Sequence, residues 1–287
     1  MRYLSMRFPG GKFKAVTFSY DDGCRADIHT AEIFNRYGMK GTFNINSGFM
    51  AKEEGAFHLT PEEIQKHLID PGHEIAIHGA HHCAPGLCRP LDAMQDALFC
   101  RRELESTFGR IVRGMAYPDS GIRVFQEGMD YAAVKRYLQE LNIVYARSLG
   151  ADNSSFRMPQ DFHAWLPTAH HDNPKIMEYI EKFKAEKEED FSITSRHPRL
   201  FYIWGHSYEF DKKNNWEHLE EICQALAGDE DVYYATNMEI WEYTDAYNRL
   251  VFSADNSKVY NPSLTPVWFN YDKTRFCVAP GETIVVE

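Results

Sequence analysis

The feature that most constrains this chain is an alternation of short β-branched or aromatic runs with helical patterns, repeated seven or eight times. Residues 13–20 (FKAVTFSY) read as a strand, followed by a helix over 26–37 that Gly38 closes. Strands are expected at 40–46, 73–77, 111–116, 143–147, 162–166, 200–204 (LFYIW) and 232–235. Helices are expected at 60–69, 91–108, 130–141, 174–188 and 216–226. Thr60-Pro61-Glu62-Glu63 is a strong helix start, with a capping threonine, proline at the first position and glutamate three residues after the cap. Parallel strands need long return connections, so this order predicts a parallel sheet. A closed or nearly closed β/α barrel fits the count, and an open doubly wound sheet is the alternative.

The remaining composition removes several function classes. Thirty-one basic against 42 acidic residues give a net charge of −11, which argues against a nucleic-acid partner or an anionic membrane surface. No apolar run approaches the ~20 residues of a membrane helix. The first residues, interrupted by Arg2, Arg7 and Lys12, offer no hydrophobic signal core. Six cysteines without a C-x-x-C pair read as thiols of a reduced compartment, so a soluble, cytoplasmic protein is expected. Gly10-Gly11-Lys12-Phe13 lacks P-loop spacing, and no dinucleotide fingerprint follows the first strand. After about Tyr247, strand-like pieces alternate with Asn, Pro, Gly and Asp turns. The expected organisation is a barrel over 1–247 and a small β-rich appendage over 248–287 packed on it. The sequence sets no oligomeric state.

In parallel α/β folds the chemistry lies at the C-terminal strand ends. There the sequence puts Asp21-Asp22-Gly23, His78 with His82 four residues on, Tyr117-Pro118-Asp119, Arg147 and Gly205-His206-Ser207. Asp22, His78 and His82 form a plausible divalent metal site, because two histidines and one carboxylate leave coordination positions open for chemistry. Thirteen histidines in 287 residues also produce such pairs by chance. The bland account of Asp21-Asp22 is a solvated turn. Against it, the pair ends a buried strand, and a cation on Asp22 would let Asp21 stay ionised as a general base. His206 is the matching candidate acid, with Trp204, Tyr208 and Glu209 expected around a pocket. Cys83 and Cys88 near His81 could instead build a structural zinc site, but they lack a second ligand pair. His163, His170 and His171 fall in a polar run and are expected to be exposed.

These residues carry a family resemblance. VTFSYDDG resembles the T-F-D-D-G signature of the polysaccharide deacetylase (NodB-homology) family, a carbohydrate esterase group. GHEIAIHGAHH resembles its metal-histidine signature, FYIWGHSYEF its last signature, and GMAYPDSG a variant of its third. YGMKGTFNIN fits its second strand, and the resemblance spans about residues 13–245. It implies a distorted (β/α)7 barrel with a small C-terminal β-appendage, a divalent ion, usually zinc, and hydrolysis of an N- or O-acetyl group from a carbohydrate. Carried over, Asp21 is the base, Asp22, His78 and His82 the ligands, and His206 the acid. A backbone N–H near Tyr117 would stabilise the oxyanion, and Tyr117, Pro118, Trp204 and Tyr208 would contact substrate.

Two departures stand out. Met115-Ala116 occupy the stretch where many members carry an arginine that pairs with the base, so Arg147 is expected to supply that charge. The family's Asp-x-x-Asp-Trp motif, which supports the histidine acid, has no match in spacing, although Asp161 and Trp165 lie in the corresponding region. The leading reading is a metal-dependent deacetylase of an acetylated sugar or small amide. A metal-independent cyclic-amide hydrolase on the same barrel is one alternative, against which the intact triad counts. A non-catalytic carbohydrate-binding protein is the other, and it predicts loss of Asp21 or His206, both present.

Overall fold

The computed structural model describes residues 3–150 and 152–286. Its centre is the strand Lys14–Asp21, buried along all eight residues as the expected apolar run requires. Gly41–Ile45, Glu74–Ile77, Gly114–Ala116 and Tyr145–Arg147 follow on one side, and Arg199–Gly205 then Ala169–His170 on the other, all parallel. Val232–Tyr234 pairs with the start of the central strand. The sheet curls into a distorted (β/α)7 barrel, and a single parallel bridge links Arg147 of one edge strand to Trp165, in the segment leading to the other.

Local signals set many of the boundaries. Gly38 and Gly109 close the helices Asp27–Tyr37 and Pro90–Phe108 in the left-handed conformation. Thr60 forms its capping box, although the helix Pro61–Ile64 widens into a π turn over Gln65–Ile69. Gly114 must lack a side chain, because a Cβ there would stand 2.2 Å from the Tyr145 hydroxyl. Among the described residues no helix is long and apolar enough to cross a membrane.

Two readings need correction. The expected strand at 162–166 is a 3-10 turn, Phe162–Ala164, because the Asp161 carboxylate caps the His163 N–H. The strand itself comes later, at Ala169–His170. A helix, Asn237–Asn248, occupies a stretch to which no element was assigned, started by a capping box of Thr236 and Glu239.

The last forty residues make two small antiparallel sheets. Val251–Phe252, Lys258–Tyr260 and Thr283–Val285 form one. The other pairs Val267–Tyr271 with Thr274–Val278 and with Leu4–Arg7 from the start of the chain. Arg7, fully buried, forms an ion pair with Glu188 at 2.6 Å, which also bonds Asn270 and Arg275.

Candidate active site

The central strand ends at Asp21, and the chain then turns sharply, with Asp22 at φ +80° and Gly23 at +62°. A non-glycine residue in that region is strained, and strain of this kind gathers at functional sites. His78 follows the strand Glu74–Ile77 and is 1% exposed. Its Nδ1–H donates to the Ala116 carbonyl at 2.9 Å, which leaves the Nε2 lone pair facing Asp22. His82, also at positive φ, brings its Nε2 to the same carboxylate. Asn46 donates to the carbonyls of His78 and Gly79 and fixes the loop between the two histidines. The Asp22 Oδ1 atom is 3.6 Å from each Nε2. Ligands about 2.0–2.1 Å from a tetrahedral ion are about 3.3 Å apart, so this donor set fits a divalent ion with small adjustment. Neither cluster of potential ligands among the described residues includes Cys83 or Cys88.

Asp21, 2% exposed, has a different environment. Arg147 Nη2 lies 2.5 Å from its Oδ2, and Asn44 Nδ2 donates to its Oδ1 at 2.8 Å. His78 and His206 direct Nε2 atoms at Oδ2 from 4.0 and 3.9 Å. Burial alone would raise this carboxyl's pKa, but Arg147, then His78 and His206, outweigh it and hold Asp21 below the usual carboxylate range. The Arg147 guanidinium rests 4.6 Å over the Trp204 ring, so it is fixed by both a carboxylate and an aromatic face. Arg113, the other arginine near the variant motif, turns away to Glu242 and Trp241.

His206 has Asp21 facing Nε2 and Glu209 Oε1 3.4 Å from Nδ1. Burial disfavours the imidazolium, but Glu209 and then Asp21 and Asp22 outweigh it, and the ring titrates above its ordinary value. Thus Asp21, Asp22, His78, His82, Arg147 and His206 converge on one rim. Trp204 and Tyr208 border it half-buried, and the Tyr208 ring is 5.3 Å from His206.

Tyr117 does not fill the expected role. Its N–H already donates to the Arg147 carbonyl, its hydroxyl to the His163 carbonyl, and its side chain is 1% exposed. Pro118 is buried beside it. Asp161 bonds Tyr131 and Lys135, and Trp165 is a core residue, so neither takes up the missing motif.

Several rim residues were not singled out by the sequence. Asn44 belongs to a strand whose alternation marks it only as inward-facing. His58 and Phe49 join Asp22, His81 and His82 around a cavity of about 350 Å³, with His58 Nδ1 3.1 Å from the Asp22 carbonyl. The expected exposure of His163 and His171 is also wrong. His163 is 9% exposed and bonds Ile143, while His171 is fully buried against Tyr20 and Phe210.

Residues 9–135 match the polysaccharide deacetylase family model. No curated protein sequence matches the chain. Among solved structures, the fold is similar to that of a candidate polysaccharide deacetylase from Mycobacterium smegmatis, at 18% identity over 86% of this chain and 96% of that one, TM-score 0.55. It is also similar to Puue allantoinase, at 12% identity over 82% and 91%, TM-score 0.57. The deacetylase PplD of Streptococcus pyogenes, solved with acetate, aligns at 16% identity over 47% of this chain, TM-score 0.41. The chain spans 55% of that relative's length.

Proposed function

We propose, from the match of residues 9–135 to the polysaccharide deacetylase family model, that this chain is a metal-dependent hydrolase. Its reaction removes an acetyl group from an N- or O-acetylated sugar or a related small amide. The observation that carries this reading is the buried Asp21–Arg147 pair beside the Asp22/His78/His82 donor set. The ion, zinc in this reading, would be held by Asp22, His78 and His82 and would supply a Lewis acid to the acetyl carbonyl and to water.

The chain's own residues move the protons. Asp21, kept ionised by Arg147 and oriented by Asn44, accepts a proton from the water that attacks the acyl carbon. The C–N or C–O bond breaks as His206 delivers a proton through Nε2 to the departing amine or alcohol. Acetate and the free amine or alcohol are the products. Trp204 holds Arg147 in place, and Tyr208 and Phe49 border the substrate space. A cytoplasmic place of action accords with six free cysteines, three of them buried.

The test combines metal content with acetate release. Protein purified without added ions is assayed on acetylated chito-oligosaccharides and acetylated xylan, before and after chelation. We expect about one divalent ion per chain and activity that chelation abolishes and zinc restores. Undiminished acetate release by the metal-free protein would overturn the metal dependence, and ring opening of a cyclic amide without any acetate release would favour the cyclic-amide alternative.

A further inference from the structure

A second cluster of donors adjoins His206. It comprises His170, His171, Asp172 and Glu209, whose nitrogen and oxygen atoms are close enough to share an ion. One hydrogen bond and the spacing of the imidazoles around Glu209 favour another reading. The Asp172 N–H donates to His170 Nδ1 at 3.2 Å, so the neutral ring carries its proton on Nε2. That protonated Nε2 stands at ion-pair distance, 3.1 Å, from Glu209 Oε2. His171 Nε2 lies 3.1 Å from the same oxygen. Asp172 already has a cation, Lys213. The second carboxylate oxygen, Oε1, is left facing His206 Nδ1.

We infer that Glu209 is a positioning residue: His170 and His171 clamp one of its oxygens, and the other holds His206 with Nδ1–H toward Glu209 and Nε2 toward Asp21. This rests on the reading of His206 as the acid. It gives this chain a support for that histidine on the helix Tyr208–Lys213, three residues along from His206 itself.

The surroundings are built for such a clamp. His171 is sandwiched between Tyr20 and Phe210, with ring centroids at 5.7 and 4.2 Å. Gly205 must be glycine, since a Cβ there would be 1.9 Å from His171 Nδ1. His170 packs edge-on against Trp204 at 4.6 Å, tying the clamp to the ring beneath Arg147. Burial disfavours an ionised Glu209, but the imidazoles of His170, His171 and His206 around it prevail and hold it below its ordinary value. The groups facing His206 are therefore Asp21 on Nε2, Glu209 on Nδ1, the His170 and Tyr208 rings, and Asp22 at longer range.

The experiment compares wild type, Glu209→Gln and Glu209→Asp as full chains. Histidine titration is followed by NMR, and kcat and KM are measured on an N-acetylated chito-oligosaccharide and on 4-nitrophenyl acetate. Without the carboxylate His206 loses its proton more readily, so in Glu209→Gln its titration and the alkaline limb of the rate profile move to lower pH. The kcat on the amide falls ~10–100-fold with KM nearly unchanged, a part of what a general acid contributes. The loss on 4-nitrophenyl acetate is smaller, because its leaving group departs without a proton. Glu209→Asp recovers part of both shifts. A His206 titration that is the same in all three proteins overturns the inference. So does a second metal ion per chain that disappears in Glu209→Gln. Absence of acetate release from every substrate would defeat the deacetylase reading, yet the NMR titration would still decide the role of Glu209.

Discussion

Asp21, buried, and Glu74, partly buried, are carboxyl groups at opposite ends of the same barrel, and they carry opposite charge preferences. Asp21 is the last residue of its strand and Glu74 the first of its own, so parallel strands deliver them to opposite faces. Asp21 meets a guanidinium and two imidazoles. Glu74 meets only neutral donors: the Thr42 hydroxyl at 2.9 Å, the Tyr145 hydroxyl at 2.6 Å and the Met238 N–H at 2.8 Å. For Asp21 the cations overcome burial, and the acid is held low. For Glu74 burial wins, and the acid is pushed up to about 7. At Glu74 three neutral donors do not outweigh burial, whereas the cation beside Asp21 does.

The contrast is most easily broken at the rim. Asp21→Asn and Asp22→Asn should each cost ~10²–10⁴-fold in acetate release, but only Asp22→Asn should lose the metal, as elemental analysis will show. Losses in the reverse order would mean that the two carboxylates have been assigned backwards. Arg147→Met comes next, since it leaves Asp21 buried without its cation. It should lower stability at pH 7 by ~3–5 kcal/mol in denaturant unfolding. The deficit should shrink toward pH 4 as the orphaned carboxyl takes a proton.

At the barrel floor the effects are smaller. The folded Glu74 holds its proton more tightly than the unfolded chain does. Its contribution therefore makes stability fall as pH rises from the ordinary 4.5 to about 7. Glu74→Gln should remove that slope, read as Tm against pH, and should be less stable than wild type at pH 5. Tyr145→Phe removes one donor, costs ~1 kcal/mol and extends the slope to higher pH by pushing Glu74 further up.

This pairing also marks how far the sequence could be read. The GHE of the metal-histidine signature lies at the floor, where His73 accepts the Gly41 N–H and is driven down to about 4 by burial. Only the later histidines of that signature reach the rim. Strand ends were legible because apolar runs stop abruptly at Asp21, Ile77 and Gly205, and the convergence of Asp22, His78, His82, Arg147 and His206 follows from those ends. The Glu209 hub was not legible, because His170-His171-Asp172 looks like a polar loop unless one knows that Gly205 makes room for an imidazole. Residues 162–166 misled for a similar reason, since their apolar character serves a core turn under Arg147 rather than a strand. The helix Asn237–Asn248 could have been found from Thr236 and Glu239, a capping signal of the kind that identified Thr60.

The pairing of Leu4–Arg7 with Val267–Tyr271 has a consequence for the order of events at the ribosome. Tyr3 and Asp272, which bond each other twice, are 269 positions apart. At a synthesis rate of about 5–20 residues per second, the early strand waits roughly 15–50 s for its partner. Throughout that interval the nascent chain presents an open β-edge able to recruit a chaperone or a stray strand. The barrel strands that follow can meanwhile assemble in turn, so this is one of the late pairings, joining segments that emerge far apart in time. An arrested nascent chain lacking residues 267–271 would carry that edge unprotected.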